Sequence, residues 1–484
     1  MRKQRLLTLA IVICLLACLF TACDTNVDAD NKDDDPVEYS VGLAYSVNTG
    51  GGTCTITGTG TCIDSEISIP KEIDGYTVTA IAPYAFYNNS GIITVLIPEG
   101  VTSIGDKAFY NCSSLTSITI PDSVITIGEE AFSGCLNIVE TTISIFAVKH
   151  IPKDNLKTLV ITNGTTIGAS AFSNCTRLTR VTIPDSVTSI GQYAFYGCSS
   201  LTRMTIPDSV TTIGQYAFYG CSSLTRIVIP DSVTSIGECA FYDCSSFTSV
   251  TIGDSVTTIG ECAFAGCDSL TSIIVDENNT KYKSIDGNIY TKDGTTLIQY
   301  ACGKSGITIP KSVTTIGQYA FSGCDSLTSI IIPDSVTSIG IGAFGGCESL
   351  TSITLPFVGA TKDGEGRGHF GYIFGADTND YNSICVPDSL KEVVITGGTI
   401  GSYAFYECRS LISVTIGNSV TYIGVWAFDD CRNLTNVIFN DPNGWYVIDS
   451  HDVAEERTRV TLTNKTKNAT YLRSTYGRYY WYKS

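Results

Sequence analysis

The sequence predicts a solenoid: stacked 23-residue coils with parallel strands on one face. Three observations predict it. The dipeptide Ala-Phe occurs twelve times, at Phe86, Phe109, Phe132, Phe172, Phe195, Phe218, Phe241, Phe264, Phe321, Phe344, Phe405 and Phe428, and every step from Phe172 to Phe264 is 23 residues. A fixed period of this size marks supersecondary units that cannot bury their apolar faces alone. Thr, Ser, Gly and Ile dominate, which favours strands and turns over long helices. Hydrophobic residues make up 43% of the chain and charged residues 16%, enough apolar surface for a continuous core. A chain of 484 residues would ordinarily split into several domains. A solenoid grows by adding coils and escapes that limit.

The first segment, 1–22, reads as an export leader. Arg2, Lys3 and Arg5 precede an apolar run from Leu6 to Phe20, then Thr21-Ala22-Cys23. The run is short for a membrane span and ends in small residues. A Cys directly after the small residue resembles a bacterial lipoprotein cleavage site, which implies Cys23 as the lipidated N-terminus; Phe20 stands where that motif usually has Leu. The alternative is ordinary cleavage with Cys23 as a free thiol. Residues 23–38 contain DTNVDADNKDDDPVE, an acidic tether expected to be disordered.

Tyr39 to Ala82 is expected as the N-terminal cap, with Cys54 to Cys62 as a hairpin. Residues 83–439 form the solenoid. In the coil CSSLTRMTIPDSVTTIGQYAFYGC, from Cys198 to Cys221, Leu201, Met204 and Ile206 fit the strand pattern L-x-x-L-x-L. Pro207 lacks a donor and ends the strand. Asp208-Ser209 suits an Asx-type turn. Val210 and Ile213 return to the core, Gly214 permits a tight bend, and Ala217-Phe218 close the coil with a short helical or 3₁₀ turn.

The phrase C-S-S-L-T-S-I-T-I-P-D-S-V-T-S-I-G-x-x-A-F resembles the BspA-like leucine-rich-repeat family of bacterial surface proteins, over roughly Leu43 to Phe439. The resemblance implies a leucine-rich-repeat solenoid of mixed α/β class, mostly strand. Members of that family act as adhesins on host matrix proteins or other bacteria, and the resemblance implies that role here.

Three longer steps interrupt the period: 40 residues from Phe132 to Phe172, 57 from Phe264 to Phe321 and 61 from Phe344 to Phe405. Inserts are expected near 137–166, 276–306 and 357–396. The first and third share a pattern, Ile151-Pro152 through Ile167-Gly168 and Val386-Pro387 through Ile400-Gly401, and suggest a second coil type. The middle one holds Asp286-Gly287 and Asp293-Gly294 between apolar runs, a hairpin signature. The inserts either touch ligand or are tolerated loops. Residues 440–484 change pattern and end in Tyr476, Tyr479, Tyr480, Trp481 and Tyr482, read as a C-terminal cap or, alternatively, an exposed aromatic patch.

Of twenty Cys, eleven sit three residues after a repeat Phe. Stacked side chains point the same way, poor geometry for bridging, so reduced thiols are expected along this column. No bond is expected between the stacked Cys239 and Cys262. Cys54 and Cys62 are the disulfide candidate. No Cys-x-x-Cys spacing suggests zinc. The histidines, His150, His369 and His451, stand apart, and no nucleophile elbow or P-loop occurs. Gly366 to Gly371 spells G-x-G-x-x-G without the strand–helix context that gives it meaning. No catalytic residue and no cofactor are expected.

Two columns carry binding hypotheses. Outward strand positions hold Ser or Thr in most coils, but Arg180, Arg203 and Arg226 in three successive ones. This suits acidic side chains or sulfated glycan; the alternative is solvated arginines left by repeat duplication. Asp185, Asp208, Asp231 and Asp254 form a second column, for Ca²⁺ or for turn capping. A net charge of −17 argues against nucleic acid. The expectation is an exported, lipid-anchored, monomeric surface protein binding extracellular proteins or glycans, its membrane contact limited to the anchor. The alternative is a coat protein without a dedicated ligand.

Overall fold

A computed structural model describes residues 39–304, 306–362, 367–449, 457–462 and 464–484. The expected leader, tether and Cys23, together with Gly366 and His451, lie outside the described residues. Most regular coils contribute a strand to a major sheet and a two-residue strand to a second sheet opposite. Ser249–Ile252 pairs in parallel with Arg226–Ile229 on one side and Ser272–Val275 on the other, in register Arg226↔Ser249↔Ser272. On the second sheet Thr258–Ile259 follows Ser235–Ile236, Thr212–Ile213 and Ser189–Ile190. Side chains alternate along each strand, so Val250 and Ile252 are buried while Ser249 and Thr251 face outward.

The period-23 residues become columns. Repeat phenylalanines stack with ring centroids 4.9–5.4 Å apart and nearly parallel planes. Column cysteines donate Sγ–H to the carbonyl of the phenylalanine one coil back, as Cys221 to Phe195 at 3.3 Å and Cys244 to Phe218 at 3.3 Å. Hydroxyls do the same at the edges. Thr234 Oγ1 donates to Thr211 O at 3.2 Å, and Ser232 Oγ to Val210 O at 2.7 Å. Coils are thus joined by side-chain as well as backbone hydrogen bonds, each spanning one period. Of the helical or 3₁₀ turn expected at Ala217-Phe218, the structure has single turns of the 3₁₀ type, Ala217 N donating to Gly214 O at 3.3 Å and Tyr219 N to Tyr216 O at 3.2 Å, and no α-helical turn. The chain instead turns through Tyr216 in the left-handed region, φ 55°, and Phe218 N donates to Ala240 O of the next coil at 2.7 Å. That inter-coil bond competes with, and replaces, a helical i→i−4 bond.

The inserts substitute for missing parts of coils. The first carries a 3₁₀ turn, Ile145–His150. The third carries Phe370–Phe374 and Asn382–Cys385. Phe370 fills the aromatic column, 4.7 Å from Phe405. The fully buried Asn382 accepts from Gly371 N and donates to Ala404 O and Tyr406 O. The shared pattern of these two inserts has a structural basis. Thr162 and Thr396 stand where other coils have Pro, so each offers a backbone N–H, taken by Ile143 O and Leu355 O. Their hydroxyls reach Asp122 Oδ1 at 2.6 Å and Asp334 Oδ1 at 2.7 Å. The middle insert is the expected antiparallel meander, Tyr282–Ile285, Asn288–Thr291 and Thr296–Gln299. Its Tyr300 stands in for the missing phenylalanine, 5.0 Å from Phe321. Buried apolar residues form two clusters that meet at this insert.

Two cysteine expectations are overturned. Cys54 and Cys62 are both free. The hairpin runs from Ala44–Asn48 to Thr53–Gly58, not between the two cysteines. Cys54 faces the core with Sγ toward Tyr76 O, whereas Cys62 lies beyond a turn against Asp64. The repeat column is not wholly reduced, since Cys324 bonds Cys302, Cα atoms 4.7 Å apart. Cys302 belongs to the insert and stands 22 residues before Cys324, so it approaches off the column and escapes the parallel-pointing geometry that keeps its neighbours apart.

Both ends are satisfied. Ser40 N donates to Ser68 O at 2.9 Å, and Ser40 Oγ accepts from Ser68 N, closing the first strand's edge. At the far end Trp445 and Trp481 are buried. Tyr480–Lys483 lies antiparallel between Tyr422–Ile423 and Trp445–Ile448. Asn468 Nδ2 and Arg473 Nη1 cover carbonyls of the last coil, Val437 in its strand and Leu434 just before it.

Candidate interaction surface

The outward face of the major sheet is built by alternation: inward Val and Ile fix the strand, and its other residues must face solvent. Most coils put hydroxyls there. Arg180, Arg203 and Arg226 are exposed and fall on one column. Arg180 bridges Arg203 directly in parallel register; Thr158 precedes the stack and Ser249 follows it. Stacked strands lie roughly 5 Å apart, so the three guanidinium stems start one strand spacing from each other. None of the three enters an ion pair among the described residues. The contrast with Arg409 is sharp: that side chain meets Glu407 at 3.1 Å and Asp430 at 2.9 Å. Charge on the arginine column is therefore left uncompensated by the fold.

The major sheet is broken at this column. It runs unbroken from Glu66–Ser68 to Arg180–Thr182 and resumes at Arg226–Ile229. Between them Arg203 makes only an isolated bridge to Arg180. Among the described residues no backbone hydrogen bond joins 202–206 to 225–229. The second sheet passes the same coils intact, Ser189↔Thr212↔Ser235. The phenylalanine stack also continues, at 5.3 and 5.1 Å about Phe218. Like charges across adjacent strands repel, which works against the ladder at this position.

The other candidates are placed as follows. Asp231 Oδ1 accepts from Asp254 N at 3.1 Å, the inter-coil turn capping offered as one reading of the aspartate column. No cluster of three or more His, Cys, Asp or Glu among the described residues is arranged to hold a metal ion. His369 Nε2 lies 3.0 Å from Ala376 O. His150 sits on the first insert, where burial pushes its imidazole down. Burial drives three of the column thiols the other way, Cys221, Cys347 and Cys431 being pushed up to about 12, which keeps these three protonated and poor nucleophiles, whereas hydrogen bonds with the next column cysteine, Cys135 and Cys198, hold Cys112 and Cys175 below the usual thiol range.

Sequence reasoning also missed a shallow recess of about 510 Å³ lined by Ile145, Phe146, Lys149, Lys153 and the Gly168–Ala171 turn. Lys149 Nζ lies 5.4 Å from the Phe146 ring centroid. Its only signal was the IFAVKH run, which looks like any apolar insert.

The family-model comparison agrees with this architecture. The family model described as BspA type Leucine rich repeat region matches residues 79–162, 165–292, 298–363 and 379–454. A leucine rich cell surface protein from Faecalibacterium prausnitzii is 30% identical over 87% of this chain and 97% of its own, TM-score 0.45. A leucine-rich repeat protein from Bacteroides ovatus is 25% identical over 83% and 94%, TM-score 0.39. No curated protein matches the chain significantly. Leucine-rich-repeat proteins are generally non-enzymatic scaffolds, and no catalytic family is indicated. Among the described residues no helix is long and apolar enough to cross a membrane. The chain belongs to the BspA-type leucine-rich-repeat family.

Proposed function

We propose that this is a non-catalytic surface protein that binds extracellular macromolecules through the outward face of its major sheet, with Arg180, Arg203 and Arg226 at the centre of the contact. The observation that carries this reading is the uncompensated arginine column on an otherwise acidic chain. Arg forks bind carboxylate and sulfate in bidentate fashion, and unpaired guanidinium groups have no ion pair to give up on binding. The relative from F. prausnitzii, described as a cell surface protein, supports display at a bacterial surface. The Thr21-Ala22-Cys23 junction supports anchoring through lipidated Cys23, with the acidic segment after it as spacer. The protein acts as a monomer on this reading.

The test is binding of the purified protein to matrix proteins and glycans, with Arg180→Ser, Arg203→Ser and Arg226→Ser combined. At about 1 kcal/mol or more per charge-assisted contact, the triple variant weakens capture on the order of a hundredfold. Undiminished capture by the triple variant removes the arginine column from the site. Protease shaving of intact cells, with the folded part released, checks display.

A further inference from the structure

The break in the major sheet falls where the sequence is most regular. Every step from Phe172 to Phe264 is 23 residues, yet the ladder lapses between the coils of Arg203 and Arg226. Its other interruption, before Ser329–Ile331, directly follows the middle insert. The breaks in the second sheet also coincide with inserts: after Thr126–Ile127 at the first, after Thr258–Ile259 at the second and after Ser338–Ile339 at the third. The arginine coils have no insert to account for theirs. What distinguishes them is charge. Arg203 is the middle member of the stack, with a guanidinium on each side, whereas Arg180 and Arg226 have Thr158 and Ser249 as their outer neighbours.

We infer that the open ladder between Arg203 and Arg226 is an anion site that closes on its ligand, the sulfate esters of a polysaccharide. Repulsion among the three guanidinium groups holds the strands apart. A sulfate seated between successive arginines takes hydrogen bonds from both forks and cancels the repulsion. The freed backbone groups of 202–206 and 225–229 then pair as they do in neighbouring coils. Binding and ladder closure are linked, so each strengthens the other. The outward neighbours favour a glycan over a protein. Thr158, Thr182, Thr205, Ser249 and Thr251 offer hydroxyls to sugar hydroxyls, whereas Val228, at the corresponding outward position of the Arg226 coil, is apolar and 57% exposed. No aromatic side chain of the kind that anchors protein partners stands on the outward positions of these coils. This inference rests on the surface-binding reading for its biological partner, but the closure itself does not.

One other feature sets this coil apart. Met204, the only methionine after Met1, replaces the branched residue that neighbouring coils place inward, Val181 and Ile227. Hydrogen exchange of the full chain separates the two causes. Amides of 226–229 in the wild type exchange faster than those of 249–252. Arg203→Ser slows them by about 1.5- to 5-fold for each like-charge contact removed. Sodium sulfate, against sodium chloride of equal ionic strength, slows them in the wild type and has no effect in Arg203→Ser. Heparin fragments do the same at lower concentration, and poly-glutamate does not. The inference is overturned if Met204→Ile closes the ladder and Arg203→Ser leaves it open, if sulfate leaves exchange unchanged, or if poly-glutamate matches heparin. If heparin binds with no change at 226–229, this inference fails and the surface-binding reading stands. If the ladder closes on sulfate while intact cells ignore sulfated glycans, the anion site stands and the surface-binding reading fails.

Discussion

Two glycine columns run along the solenoid, and they answer to different physics. Gly237 follows the second-sheet strand Ser235–Ile236, and its φ is unexceptional. A Cβ there would stand 2.5 Å from Gln215 N and Gly214 C of the preceding coil. The requirement is close backbone approach, so the tight bend expected of Gly214 is better described as contact between coils. Gly220 has φ 68°, and a Cβ there would meet nothing nearer than 3.8 Å, so the requirement is conformational alone. Asn111, Asn174 and Asp243 occupy that same position in other coils at φ 56–59°. Gly237→Ala is therefore expected to lose about 1–3 kcal/mol, by forcing two backbones apart. Gly220→Asn should change stability by less than about 0.5 kcal/mol. Urea unfolding of the two variants checks the ordering, and equal losses would refute the distinction.

At the scale of elements, what could be read from sequence was whatever repeated. The columns of Phe, Cys, Val and Ile were legible because a constant separation places residues at one position in successive coils. The Asp286-Gly287 hairpin was legible because its turn chemistry is local. The Cys302–Cys324 bond was not, because Cys302 lies off the period and its approach depends on how the meander folds back. The lapse at Arg203 was also hidden, since the pattern around it is unbroken and repulsion acts between coils rather than along the chain. The disulfide carries its own prediction. It closes a loop of 22 residues next to the seam between the two core clusters. Loop-closure entropy assigns it about 3 kcal/mol. Cys302→Ser should lower stability by about that amount, and a non-reduced digest of the wild type should yield one cross-linked peptide pair containing both cysteines. Full alkylation of both under denaturing, non-reducing conditions would rule the bond out.

For the solenoid as a whole, coils touch only their neighbours, so damage should stay local. The C-terminal cap offers the cleanest trial. Trp481 is 1% exposed, stacked 6.2 Å from Phe439 of the last coil, with Trp445 6.5 Å away. Its strand supplies the partner for Tyr422–Ile423 and Trp445–Ile448, so it covers both the apolar end of the core and the edge of the second sheet. Trp481→Ala removes that cover at a cost of about 3–5 kcal/mol. Because the first core cluster ends at Ala301 and the second begins at Tyr290, the loss has a natural boundary. Hydrogen exchange should rise across the strands Ser413–Ile416, Tyr422–Ile423 and Asn436–Phe439. It should stay at wild-type levels in the coils from Thr94–Leu96 to Thr258–Ile259. A uniform rise along the chain would mean that the coils unfold as one cooperative body, and the nearest-neighbour description would have to be abandoned.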